Sequence, residues 1–138
     1  MSSNFSVTPT LPVENLARAR QFYEDKLGLE PLATSSSGVL YECGNDTKLL
    51  IYKSKVAKCG CIAAIFEVKN LQGEVRTLEK KGVVFEKYEI PDISIVDKLT
   101  SLSTGNVVSF QDSEGNILAL VQMGMLLEAN GVLSSFRK

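Results

Sequence analysis

The sequence predicts an α+β fold of two βαβββ modules that form an incomplete barrel around a cleft. Three observations predict it. The segment Val13-Glu14-Asn15-Leu16 returns as Val68-Lys69-Asn70-Leu71, 55 residues later. Each copy opens a helical stretch that closes on a Lys/Leu-Gly pair, Leu27-Gly28 and Lys81-Gly82. Each helix is preceded by one extended segment and followed by three. Fixed-period self-similarity of this kind marks a repeated supersecondary unit.

The elements follow in order. Phe5–Val13 alternates Val7, Pro9, Leu11 and Val13 against polar or proline neighbours, so it reads as a strand, and its prolines place it at an edge. Asn15 is an N-cap, Gly28 a C′ residue, and Leu16, Ala19, Phe22 and Tyr23 form one helical face between them. Strands Leu29–Thr34, Val39–Cys43 and Lys48–Tyr52 follow, with turns at Ser35–Gly38 and Gly44–Asp46. The second module runs through strand Cys61–Val68, a helix carrying Leu71, Val75 and Leu78, and strands Val83–Ile90, Val107–Gln111 and Ile117–Gln122. The last two strands are joined by the turn Asp112-Ser113-Glu114-Gly115-Asn116. Leu49–Tyr52 and Leu118–Val121 are offset by 69 residues rather than 55. The second module therefore carries an insertion of about 14 residues, Pro91–Gly105, which reads equally as a lid, a core patch or a dimer seam. The chain is expected to be one domain, with module 1 at about 5–53, module 2 at about 60–123 and an apolar C-terminal tail at 124–138.

Bulk chemistry excludes several classes. Fifteen basic and 16 acidic residues give a net charge of −1, with no basic block to hold nucleic acid. No apolar run approaches bilayer length and nothing at the N-terminus reads as a secretory signal, so the expectation is a cytoplasmic protein without a membrane partner. Cys43, Cys59 and Cys61 are then read as reduced thiols packed as small hydrophobes. There is no histidine, which removes the commonest metal ligand and the commonest general base at neutral pH.

The motifs Leu11-Pro12-Val13-Glu14-Asn15-Leu16, Phe22-Tyr23, Leu27-Gly28-Leu29, Glu67–Leu71, Lys81–Phe85 and Asp112–Val121 resemble those of the vicinal oxygen chelate superfamily of glyoxalase, bleomycin-resistance and dioxygenase proteins. The resemblance covers residues 5 to 123. It implies the glyoxalase/bleomycin-resistance/dihydroxybiphenyl dioxygenase fold, commonly as a homodimer. It also implies a divalent ion held by four side chains, which fall by position on Thr8, Leu50, Ala63 and Ala119. That set offers one hydroxyl and no carboxylate or imidazole, so no metal and no cofactor is expected.

The cleft-lining set is then Thr8, Thr10, Leu50, Tyr52, Ala63, Ile65, Glu67, Ala119 and Val121. The leading expectation is a metal-free protein that binds a small apolar or aromatic molecule in the central cleft, by sequestration. The alternatives are a metal-independent enzyme (lyase, isomerase or dioxygenase relative) with Tyr52 or Glu67 as acid or base, and a partner-binding module with a vestigial cleft. No catalytic residue is assigned.

Overall fold

A computed structural model of the protein describes residues 3–56, 60–86 and 107–122. The insertion at 91–105, the tail at 124–138 and Cys59 lie outside these. The element order is β1 (Thr10–Val13), α1 (Leu16–Arg20) running into a π-helical segment (Gln21–Lys26), β2 (Glu30–Thr34), β3 (Gly38–Glu42), β4 (Lys48–Lys53), β5 (Ile62–Val68), α2 (Leu71–Lys80), β6 (Phe85–Glu86), β7 (Val107–Gln111) and β8 (Ile117–Gln122). Two four-stranded sheets result, ordered β1-β4-β3-β2 and β5-β8-β7-β6. The same strand order in both is the structural form of the sequence repeat.

The helix caps form as the sequence requires. Asn15 accepts from the Arg18 amide and Asn70 from the Gly73 amide, so each satisfies one orphan donor of its helix. The helices close where Gly28 (φ 73°) and Gly82 (φ 91°) adopt the left-handed conformation that a side chain disfavours.

The chain forms two compact units, 1–63 with 111–116 and 64–110 with 117–138. In the first, β1 runs parallel to β4, and β3 is antiparallel to β4 and β2. Alternation then sorts the side chains by face. Leu11, Val13, Val39, Tyr41, Leu49 and Ile51 are buried together with Ala19, Phe22 and Tyr23 of the helix. The opposite face presents Thr10, Leu40, Leu50 and Tyr52. In the second unit Leu71 and Leu78 of α2 are buried, as are Val83, Phe110 and every residue from Ile117 to Val121.

Four expectations are corrected. The first strand is not Phe5–Val13 but Thr10–Val13, because Pro9 supplies no amide to a ladder; Thr8 precedes the strand, and Phe5 and Val7 are 67% and 85% exposed. The first helix is not regular after Arg20, since it widens to π geometry over six residues while keeping Phe22 and Tyr23 buried. Of the expected strand Val83–Ile90, Phe85–Glu86 is a strand, Val83 and Val84 precede it, and 87–90 lie outside the described residues. Cys61 is disulfide-bonded, against the reading of three reduced thiols, and Cys43 is free.

The turn Gln111–Asn116 belongs to the first unit, and its two carboxylates explain why. Glu114 accepts from the Glu14 and Asn15 amides at 3.1 and 2.9 Å, at the open N-terminal end of α1. It also takes Nε and Nη2 of Arg18 at 2.6 and 3.0 Å, and the Ser113 hydroxyl at 2.9 Å. An anion at a helix start is favoured by the dipole and by the free amides. The Arg18 bond, then the Asn15 amide and Ser113 hydroxyl, outweigh desolvation and push the Glu114 carboxyl from 4.5 down to about 2. A depressed carboxyl stabilises the fold above its unfolded value and loses that contribution as pH falls. Urea melts of the wild type should therefore lose stability between pH 5 and about 2, and Glu114→Ala should lose about 2 kcal/mol at pH 7 and flatten that dependence. An unchanged acid slope in the variant would remove Glu114 from this role.

Candidate functional site

The open face of the first sheet is organised by strand register. Thr10 pairs with Leu50, Leu50 with Leu40 and Leu40 with Ala33, so one row crosses all four strands. The next row is Pro12, Tyr52 and Gly38. A bulge between Pro31 and Ala33 sets the register of β2 that brings Ala33 into line.

These rows floor an open groove of about 260 Å³, lined by Ala33, Thr34, Ser35, Ser37, Gly38, Leu40, Leu50 and Tyr52. That is at the small end of ligand pockets, which run about 300–1,000 Å³. Gly38 has a steric function here. A Cβ on it would lie 2.7 Å from the Ile51 carbonyl oxygen and 3.6 Å from the Tyr52 Cβ, so the space beside Tyr52 stays bare. The β2–β3 connection forms the rim. The Ser35 hydroxyl accepts from the Ser37 amide at 3.2 Å, lies 3.2 Å from the Ser37 hydroxyl, and reaches the Gly38 carbonyl at 3.4 Å.

The predicted lining residues divide. Leu50 and Tyr52 line the groove, and Thr10 shares the Leu50 row. Thr8 lies in the extended segment before β1 and is partly exposed. Ala63 and Glu67 are exposed on β5 and Ile65 is half-buried there. Ala119 and Val121 have no exposed surface. The groove residues Ala33, Ser35, Ser37, Gly38 and Leu40 were not anticipated, although Ser-Ser-Ser-Gly followed by an apolar strand was a turn signal pointing there.

A second polar cluster lies under the helix side. Tyr41 donates to Glu24 at 2.9 Å, and Arg20 Nε meets the same carboxylate at 2.7 Å. Arg20, and secondarily Tyr41, hold the Glu24 carboxyl below its usual range. Burial, then the bond to Glu24, pushes the Tyr41 phenol up. Tyr23 stacks on Tyr41 with ring centroids 5.9 Å apart, and burial, then Asp112, pushes its phenol well above the ordinary range. These groups are mutually satisfied, with Tyr23 and Tyr41 in the core and Arg20 and Glu24 half-exposed at its edge, so they build the scaffold rather than a reaction centre.

A divalent ion does not fit the residues at the expected ligand positions. Leu50 and Ala119 occupy the same third place on the last strand of their modules, and neither carries a donor atom. Ala63 carries none either. Among the described residues no group of three or more Cys, Asp or Glu side chains is placed to share an ion. No helix there is long and apolar enough to cross a membrane.

Two units with one strand order, each with its helix on one sheet face, define the glyoxalase/bleomycin-resistance class of fold. Solved structures agree. TnmS3, an antibiotic binding protein from Streptomyces sp. CB03234, matches with a TM-score of 0.63 at 20% identity, over 88% of this chain and 98% of its own. A lactoylglutathione lyase from Agrobacterium tumefaciens matches at 0.66 and 19%, over 92% and 98%. A glyoxalase/bleomycin resistance protein, also from Streptomyces sp. CB03234, matches at 0.60 and 20%, over 86% and 100%. No protein-family model and no curated protein matches the sequence. The likeness is one of fold, as the sequence motifs implied.

Proposed function

We propose that the protein binds a small, largely apolar or aromatic molecule without a metal ion, and acts by holding it. The observation that carries this reading is the groove over Leu40, Leu50 and Tyr52, an apolar floor with a hydroxyl rim and, among the described residues, no charged side chain in its lining. An antibiotic binding protein among the fold neighbours supports it. The alternative of a metal-independent enzyme finds less support, because among the described residues lining the groove Tyr52 alone is titratable and acid–base chemistry ordinarily needs a second positioned group.

The chain has no tryptophan, so Leu40→Trp supplies one fluorophore and fills the groove at once. A thermal-shift screen of aromatic compounds, run on dialysed protein in EDTA, should give hits that raise the wild-type melting temperature by mass action. Leu40→Trp should weaken those hits tenfold or more. Hits that vanish in EDTA, or that bind Leu40→Trp unchanged, would refute the reading.

The proposal includes a homodimer. Strand β2 ends the first sheet and is exposed at every residue, with Leu32 at 49%. An uncovered edge favours pairing with another chain. Light scattering at micromolar protein should give twice the 15.1 kDa chain mass, and a monomer across a wide concentration range would refute it.

A further inference from the structure

We infer that Tyr52 is the specificity residue of the groove, its phenol donating a hydrogen bond to a carbonyl oxygen carried by an aromatic ligand. This rests on the groove being the binding site, and it adds the polar group that the ligand must carry. Three observations carry it. The first is a contrast among tyrosines. Tyr23, Tyr41 and Tyr52 lie among the described residues, and the first two each donate to a carboxylate, Asp112 at 2.6 Å and Glu24 at 2.9 Å. The Tyr52 phenol has no hydrogen-bond partner among those residues, although its side chain is half-buried and lines the groove.

The second is register. The residues level with Tyr52 are Pro12 on β1 and Gly38 on β3, and Leu50 precedes it on the same face of β4. None of the three has a side-chain donor or acceptor, so these sheet neighbours do not satisfy the phenol. The third is steric. A Cβ at Gly38 would lie 3.6 Å from the Tyr52 Cβ, and glycine leaves that place beside the tyrosine free. A flat molecule resting on Leu40 and Leu50 reaches Tyr52 without meeting a side chain at position 38. A phenol offers one proton and acceptor lone pairs, and the proton is the stronger offer because the ring draws on the lone pairs. Tyr23 and Tyr41 use theirs in that sense. A carbonyl conjugated to an aromatic ring accepts in the plane of the ring, so a ligand lying flat on the floor presents it edgewise. Water solvates the phenol in the free protein, so the exchange yields the modest net gain of one neutral hydrogen bond, and a ligand that covers Tyr52 without an acceptor forfeits it.

Two probes of one shape test it: 2-acetylnaphthalene, with the carbonyl, and 2-isopropenylnaphthalene, with a methylene in its place. Each is titrated by NMR into the full chain as wild type, Tyr52→Phe and Leu40→Trp. Tyr52→Phe keeps the ring and removes the hydroxyl alone. It should weaken the ketone about fivefold and leave the hydrocarbon unchanged. The carbonyl stretch of the bound ketone should lie at lower frequency in the wild type than in Tyr52→Phe. Leu40→Trp should weaken both probes. If Tyr52→Phe changes both probes equally, or neither, while Leu40→Trp weakens both, the groove stands and the role of the phenol is overturned. If Leu40→Trp leaves both unchanged, the groove reading itself fails and this inference falls with it. If neither probe binds the wild type, the carbonyl-bearing aromatic class is wrong.

Discussion

Asp112→Ala should be among the most damaging substitutions in the chain, costing about 3–5 kcal/mol and lowering the melting temperature by about 10–15 °C. The Asp112 side chain is nearly fully buried and every lone-pair site of its carboxylate is used. Oδ1 accepts from the amides of Glu114 and Asn116, both at 2.8 Å. Oδ2 accepts from the Tyr23 hydroxyl at 2.6 Å and the Asn116 side-chain amide at 2.8 Å. Asn116 in turn donates to the Pro12 carbonyl at 2.9 Å, at β1. Removing the carboxylate strands four donors in a dry site, and an unmade buried bond costs more than a made one contributes. Tyr23→Phe removes one donor and leaves the other three satisfied, so it should cost about 1–2 kcal/mol. Urea melts of the two variants give the comparison. An Asp112→Ala loss below 1 kcal/mol, or one no larger than that of Tyr23→Phe, would show that the turn is not held by this carboxylate.

That turn shows where legibility in the sequence ended. Asp-Ser-Glu-Gly-Asn was readable as a turn, because the preferences of its residues are local. What Asp112 and Glu114 bind was not readable, since Tyr23 and Arg18 lie 89 and 96 positions away in the chain. The caps at Asn15 and Asn70 and the glycine stops were readable for the same local reason. The repeat made the two βαβββ modules readable before any contact was known, while the order of strands within each sheet was not. The face assignment on β4 was also readable, and it placed Leu50 and Tyr52 on the open side through simple alternation.

On β8 the same alternation put Ala119 and Val121 on an open face, yet the whole run Ile117–Val121 is buried. The signal was present. Five consecutive apolar residues mark a strand covered on both sides, whereas a half-exposed strand alternates with polar ones. The first strand failed in the opposite sense. Its alternation extended back to Phe5, but Pro9 has no amide to give a ladder, and the strand begins after it at Thr10. Register supplied what composition could not: the bulge in β2 brings Ala33 level with Leu40, and nothing in the residue types alone places that row.

Gly38→Ala should cost about 2–3 kcal/mol and also weaken any groove ligand at least tenfold, because one methyl group damages both scaffold and site. Gly38 begins β3 and pairs with Tyr52 of β4, a strand flanked on both sides by neighbours. The new Cβ would stand 2.7 Å from the Ile51 carbonyl oxygen and 3.4 Å from the Tyr52 Cα, both backbone atoms. A side chain could rotate away from such a contact, but a laddered backbone can relieve it only by moving β3 off β4. That motion separates Leu40 from Leu50 and tilts Tyr52, so the floor of the groove is lost with the pairing. Gly44→Ala is the internal control. Gly44 has open space where its Cβ would go, and its φ is not positive, so its loss should stay under about 0.5 kcal/mol with ligand affinity unchanged. Thermal melts and a titration of the best screening hit decide it. If Gly38→Ala melts like Gly44→Ala, β3 yields easily and the close approach at Ile51 is not what shapes the groove. If Gly38→Ala is destabilised but binds the hit as wild type does, the hit occupies another surface.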